Sequence, residues 1–210
     1  MTGPDRASGY QSADYQRLLA AARRSLERSG GTLAGSVSVS EPTDAERRAI
    51  IGITGQYRDL RTARMSVRLA DLDRAVRETT GRGLPDLLAE MGGPLRDRPA
   101  ERSALAAARQ AAVGAAQTSP LHASCGWYRD WLAEVVRDGS LTKLVNSGEQ
   151  AQLAQAVRVL EQLGRSGAPV LLPALAADVT GDTKALSHGT VLSTLVLRAL
   201  AIKAGAGRPE

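Results

Sequence analysis

The stretch TGDTKALSHGT, residues 180–190, sets Asp182, Thr183, Lys184, Ser187 and His188 between Gly181 and Gly189. An acid, hydroxyls, a lysine and an imidazole in one loop could move protons or cradle a phosphate, because Gly-rich turns ahead of helices expose backbone N–H groups. The loop lacks the G-x-x-x-x-G-K-[ST] order of a phosphate-binding loop, and its lysine is misplaced for that motif. His122 is the only other imidazole, and no G-x-S-x-G nucleophile turn occurs. The spacing therefore predicts a joint between two helices, with Asp182 or Thr183 as a turn or cap residue.

A second set is acidic. Glu41 follows a short alternating stretch, and Asp71 and Asp73 follow another. Hard oxygen ligands that converge at a sheet edge can hold Mg²⁺. Asp71 and Asp73 also fall where the first turn of a helix favours acids through its dipole. That reading is preferred, so no metal, no cofactor and no catalytic residue is expected. Cys125 is the single cysteine, which excludes an intrachain disulfide and a cysteine-built zinc site.

The third set is basic. QYRDLRTARMSVR places Arg58, Arg61, Arg64 and Arg68 on a loop and on the outward face of a following strand, opposed only by Asp59. Arg47 and Arg48 stand on the helix before it. Arginines at such spacing can contact successive phosphates of double-stranded DNA. A solvated, Arg-rich surface is the alternative.

The elements that position these sets follow from periodicity. A helix over residues 13–28 carries Tyr15, Leu18, Leu19, Ala22 and Leu26 on one face, and the run SGG ends it. Val37 and Val39 alternate with serines, a half-buried strand. Thr43 with Glu46 forms a capping box for a helix that buries Ala49, Ile50 and Ile53 and stops at Gly55. Met65, Val67 and Leu69 alternate inward, and a helix with Leu72, Ala75 and Val76 follows. A short helix spans residues 83–93, with Leu84, Leu87, Leu88 and Met91 apolar. The charged stretch PLRDRPAER, residues 94–102, reads as a linker. Five helices are predicted beyond it, over residues 99–117, 126–138, 149–163, 169–179 and 190–204. The last is apolar almost all round, so it is central in a core or covers a partner.

The expected fold class is thus mainly α with a small β component (α+β). Residues 1–12 form a tail, 13–95 a small α+β domain, 99–205 a helical bundle and 206–210 a second tail. The chain has 210 residues, enough for a buried core, and 43% are apolar, which excludes a disordered tail by composition. Aromatics are 3% and Phe is absent, so the core must be aliphatic. The formal charge of +5 and a pI of about 9.9 are consistent with a polyanionic partner. No signal peptide opens the chain, and the longest apolar run, VLSTLVLRALAI, carries Arg198 and is too short to span a bilayer. A cytoplasmic location and no membrane association are expected.

Several stretches taken in order point to a family: GSVSVSEPTDAERRAI, SVRLADLDRAV, MGGPL followed by RDRPAERSA, and TGDTKAL followed by GTVLSTLVLRALA. Their order resembles the N-terminal region of JetD-like proteins of the Wadjet plasmid-defence systems, over nearly the whole chain from about Leu18. The resemblance implies a helical, winged-helix-like N-terminal portion that precedes a Toprim nuclease domain, distantly similar to the A subunit of topoisomerase VI. It implies action with an SMC-type motor complex that ends in plasmid cleavage. The metal-binding acids of such proteins belong to the Toprim domain. No Glu followed by D-x-D occurs after residue 180 here, so no catalytic residue transfers to this chain. The expectation is a non-catalytic DNA-binding and interaction module of a Wadjet-like anti-plasmid nuclease subunit. Its partners would be double-stranded DNA, SMC-type subunits, and a Toprim domain or a second copy. The alternative is a structural interaction or dimerisation module that does not bind DNA.

Overall fold

The computed structural model describes residues 7–55, 62–165 and 169–205. The chain divides into two compact units, Met1–Arg102 and Ser103–Glu210. It is mainly helical, with a small antiparallel sheet.

In the first unit a single 3-10 turn, Ala7–Gln11, leads into α1 (Ala13–Ser29). The Ser12 hydroxyl accepts the Asp14 N–H at its start, and Gly30 ends it in the left-handed conformation that a side chain disfavours. β1 (Ser36–Ser40) buries Val37 and Val39 and exposes its three serines. α2 (Asp44–Thr54) starts from the Thr43–Glu46 capping box, in which each residue takes the other's backbone N–H. β2 (Arg64–Arg68) pairs antiparallel with β1, Val37 opposite Val67 and Val39 opposite Met65. Those four side chains close over Leu18, Leu19, Leu26, Ile50 and Leu72. Burial of each contributes roughly 1.5–3 kcal/mol. α3 (Leu69–Thr80) and α4 (Leu84–Gly92) follow. β1 reaches β2 through α2, and β2 runs directly into α3, so the described residues contain no strand–turn–strand wing.

Local details depart from the sequence expectations for identifiable reasons. Leu69 opens α3 rather than closing the strand, and it is fully buried there. Asp73 is not a first-turn acid. It lies one residue beyond that turn, buried, and accepts the Leu84 N–H at 2.7 Å and the Arg77 guanidinium at 2.7 Å. It therefore pins the α3–α4 turn. Met91, expected on the apolar face of α4, is exposed. Residues 98–102 of the supposed linker are already helical, because the Asp97 carboxylate caps the Ala100 N–H at 2.9 Å and α5 runs Arg98–Gln117.

Among its described residues the second unit contains the rest of α5 and six further helices. These are α6 (Pro120–Ser124), α7 (Gly126–Arg137), α8 (Ser140–Asn146), α9 (Ala151–Arg165), α10 (Leu172–Thr180) and α11 (Val191–Lys203). Two of them, α6 and α8, are absent from the sequence expectation. Both are short and are set by side-chain caps, Ser119 before Pro120 and the Asp138 carboxylate on the Ser140 N–H. The last predicted helices are displaced by a residue or a few, since residues 169–171 are not helical and α10 starts at Leu172. The core gathers Leu141, Leu153, Leu160 and Leu195 with the fully buried Tyr128 and Trp131, so it is not purely aliphatic as composition predicts. α11 is not apolar all round in its setting. It buries Leu192, Leu195, Val196 and Ala199, leaves Val191 and Leu197 exposed, and carries Arg198 into an ion-pair cluster. Among the described residues no helix is long and apolar enough to cross a membrane.

Candidate nucleic-acid interface

The outward face of the two-stranded ribbon is built by strict alternation. With Val37, Val39, Met65 and Val67 turned to the core, the opposite face must present Ser36, Ser38, Ser40, Arg64, Ser66 and Arg68. The register sets Ser36 opposite Arg68, Ser38 opposite Ser66 and Ser40 opposite Arg64. All six are exposed. Arg64 and Arg68 have no acidic partner among the described residues. At a rise of ~3.4 Å per residue they stand about 14 Å apart along the strand, comparable to the ~12 Å width of the DNA major groove. The face is therefore a hydroxyl-covered ribbon with a free guanidinium near each end, on one strand. Both residue types serve phosphate contacts.

The remaining members of the arginine set divide. Arg58 and Arg61 lie outside the described residues. Arg47 donates to the Thr62 carbonyl at 2.9 Å, which ties α2 to the start of β2. Arg48 is exposed on α2 and has no partner among the described residues. The structure thus places Arg64 and Arg68 on one face and uses Arg47 to brace the scaffold.

Sequence reasoning missed the arginines of α1. Arg17, Arg24 and Arg28 recur at a helical spacing that keeps them on one stripe, away from the buried Leu18, Leu19, Ala22 and Leu26. The signal was present in the same apolar pattern that located the helix. Arg17 reaches β1, donating to the Ser40 carbonyl at 2.6 Å and to Glu46 at 3.1 Å. Its neighbour Arg23 instead turns to the scaffold, donating to the carbonyls of Leu88, Gly93 and Pro94 and pairing with the buried Glu27.

The acidic and mixed sets resolve into structural roles. Glu41 does not join Asp71 and Asp73 in a ligand set, and among the described residues no group of three His, Cys, Asp or Glu side chains is placed to hold a metal ion. Asp71 pairs with Arg74, and Asp73 holds the α3–α4 turn. In TGDTKALSHGT, the Asp182 carboxylate accepts the Lys184 N–H at 2.8 Å, and the Thr180 hydroxyl bridges the Asp182 N–H and carbonyl. Thr190 caps α11 by accepting the Ser193 N–H, and Leu186 is buried beneath the turn. His188 lines an apolar groove of about 310 Å³ formed by α9, α10 and α11, with Leu163, Leu172, Leu175 and Leu197.

A family model described as "Protein of unknown function N-terminus (DUF3323)" matches residues 33–210. No curated protein and no solved structure matches the chain. The matched span covers both β1 and β2 and every helix from α2 to α11, so the chain belongs to this family.

Proposed function

We propose that the chain is a DNA-binding and interaction module with no catalytic centre of its own, a part of a Wadjet-like anti-plasmid nuclease subunit. The observation that carries the DNA contact is the exposed ribbon face, on which Arg64 and Arg68 stand without acidic partners among hydroxyls. Every fixed cation of the first unit is an arginine, since Lys143, Lys184 and Lys203 all follow residue 102. Arginine's planar fork suits phosphate oxygens better than a lysine point charge. The ordered sequence resemblance supports the defence setting, an SMC-type partner complex and a separate Toprim domain as the source of cleavage. The family's description as an N-terminus supports a module that works beside another domain.

The test is binding of the protein to a labelled duplex across a salt series. Affinity should fall linearly with salt on logarithmic axes. The double variant Arg64→Glu, Arg68→Glu should bind at least tenfold more weakly, and each lost phosphate contact should reduce the salt slope by about one. Unchanged affinity and slope would sink the contact.

A second reading, a structural or dimerisation module, is favoured by one feature of the other unit. Leu171, Leu172, Val191 and Leu197 are exposed there. A chain that binds no duplex at low salt and sediments as a dimer, reverting to monomer on Leu197→Asp, would support that reading over the first.

A further inference from the structure

Beside the ribbon, between α1 and β1, lies a cavity of about 270 Å³. Arg17, Ala20, Ala21 and Arg24 line it from the helix, and Ser38, Val39 and Ser40 from the strand. Residues 17, 20, 21 and 24 share one helix stripe, so the two guanidiniums flank a step with no bulk between them. Arg17 is held in place by the Ser40 carbonyl and by Glu46, whose carboxylate also takes the Thr43 N–H. Arg24 is exposed, and neither it nor the hydroxyls of Ser38 and Ser40 have a hydrogen-bond partner among the described residues. Residues that carry free donors therefore border one small space from two elements. Glu46 offsets part of the charge of Arg17, and Glu41 follows Ser40 in the chain, which leaves Arg24 as the cation open to a ligand.

We propose that this cavity binds a single phosphate group. A tetrahedral oxyanion needs only the space of a few waters, each about 30 Å³, and fits this cavity, which lies just below the roughly 300 to 1,000 Å³ of pockets for drug-sized ligands. An arginine fork with hydroxyl donors matches phosphate oxygens in number and geometry. Resting on the reading of the ribbon as a DNA surface, the phosphate belongs to a DNA strand laid over β1 and β2, either an internal phosphodiester or a terminal 5′-phosphate. The cavity would then fix the register of the strand, while Arg64 and Arg68 supply salt-dependent attraction.

Titration of the whole chain with inorganic phosphate at low salt, read by backbone and arginine side-chain NMR shifts, tests the site. Saturable shifts confined to Ser38, Ser40 and Arg24 are expected. They should disappear in Arg24→Ala, weaken several-fold in Ser38→Ala, and persist in the Arg64→Glu, Arg68→Glu variant. Absence of saturation, or unchanged binding in Arg24→Ala, overturns the proposal. Competition then separates the sources: a 5′-phosphorylated duplex that displaces phosphate several-fold better than the unphosphorylated one identifies a terminal phosphate, and equal displacement identifies the backbone. If neither duplex displaces phosphate, the assignment to DNA fails. If the ribbon variant keeps full duplex affinity while Arg24→Ala loses phosphate, the ribbon contact fails and the cavity stands.

Discussion

The two units reach a folded state by different use of polar groups. In the first, an exposed ribbon keeps hydroxyls and guanidiniums unengaged on its outer face, while buried carboxylates such as Asp73, Glu46 and Glu27 each fasten a turn or a helix start. In the second, several polar groups turn inward and are engaged in the core. The Trp131 indole N–H donates to the Leu195 carbonyl, the Tyr128 phenol to the Ala116 carbonyl, and Arg198 bridges Glu134 and Asp138. The second unit also exposes large apolar side chains, at Leu171, Leu172 and Leu197. Free polar donors mark a surface for a charged ligand, and free apolar side chains mark one for another protein. The contrast supports the proposal of a nucleic-acid contact in the first unit, with the second given over to packing.

That division is broken most forcefully through Trp131. It is fully buried, and Trp131→Ala removes its packing and the indole hydrogen bond to the Leu195 carbonyl, at a cost of about 4 kcal/mol. Amide exchange should show protection lost across α7, α9 and α11, with the amides of β1 and β2 still protected and duplex binding retained. Loss of protection in both units together would show that they fold as one. Arg198→Ala comes next, at about 3 kcal/mol, because it leaves two carboxylates facing one another in a partly buried setting. In the first unit the matching change is Asp73→Ala. It strands the buried Leu84 N–H and should cost about 2 kcal/mol in thermal or urea unfolding. Asp73→Asn, which keeps an acceptor, should cost less.

The second unit also carries a pH response of its own. Burial pushes the Asp138 carboxyl up, but the N–H and hydroxyl of Ser140 and the Arg198 guanidinium outweigh it and hold the carboxyl below its ordinary value. A carboxyl depressed on folding contributes stability that is present above its unfolded value, about 3.9, and is lost as pH falls through the folded one. At the other extreme, burial of the Tyr128 phenol, reinforced by Glu161, pushes its pKa up to about 12. Its contribution is complete below about pH 10 and is lost as pH rises through about 12. Exchange or near-UV circular dichroism across pH should therefore show the second unit loosening at both ends, with the acid limb abolished in Asp138→Asn.

How far the sequence reveals this depends on range. Alternation and caps are local, so Val37, Val39, Met65 and Val67, and the Thr43–Glu46 box, could be read directly, and with them the outward position of Arg64 and Arg68. The loop TGDTKALSHGT was likewise legible as a joint, because the Asp182 turn and Thr190 cap are made within a few residues. Asp73 was not, since its partner Leu84 belongs to the next helix and only tertiary structure brings the two together. Helices α6 and α8 escaped because five and seven residues are too few to show a period. The α1 arginines were visible but unplaced: their stripe acquires meaning only where β1 lies against it.

The smallest effect lies where the ribbon ends. Glu41 has φ of 46°, a left-handed conformation that a side chain disfavours, and Pro42 follows it. Its N–H donates to the Ala63 carbonyl at 2.6 Å, so the twist extends the β1–β2 ladder by one bond while turning the chain toward α2. Such strain costs on the order of 1 kcal/mol and persists only where surrounding contacts hold it. Glycine carries no such cost. Glu41→Gly should therefore stabilise the first unit by about 1 kcal/mol in urea unfolding and leave the second unchanged. The same variant removes an acid beside Ser40, so phosphate and duplex should bind slightly more tightly, by less than tenfold. A gain in binding without a gain in stability would assign Glu41 to electrostatic tuning of the face, and a gain in stability alone would assign it to the turn.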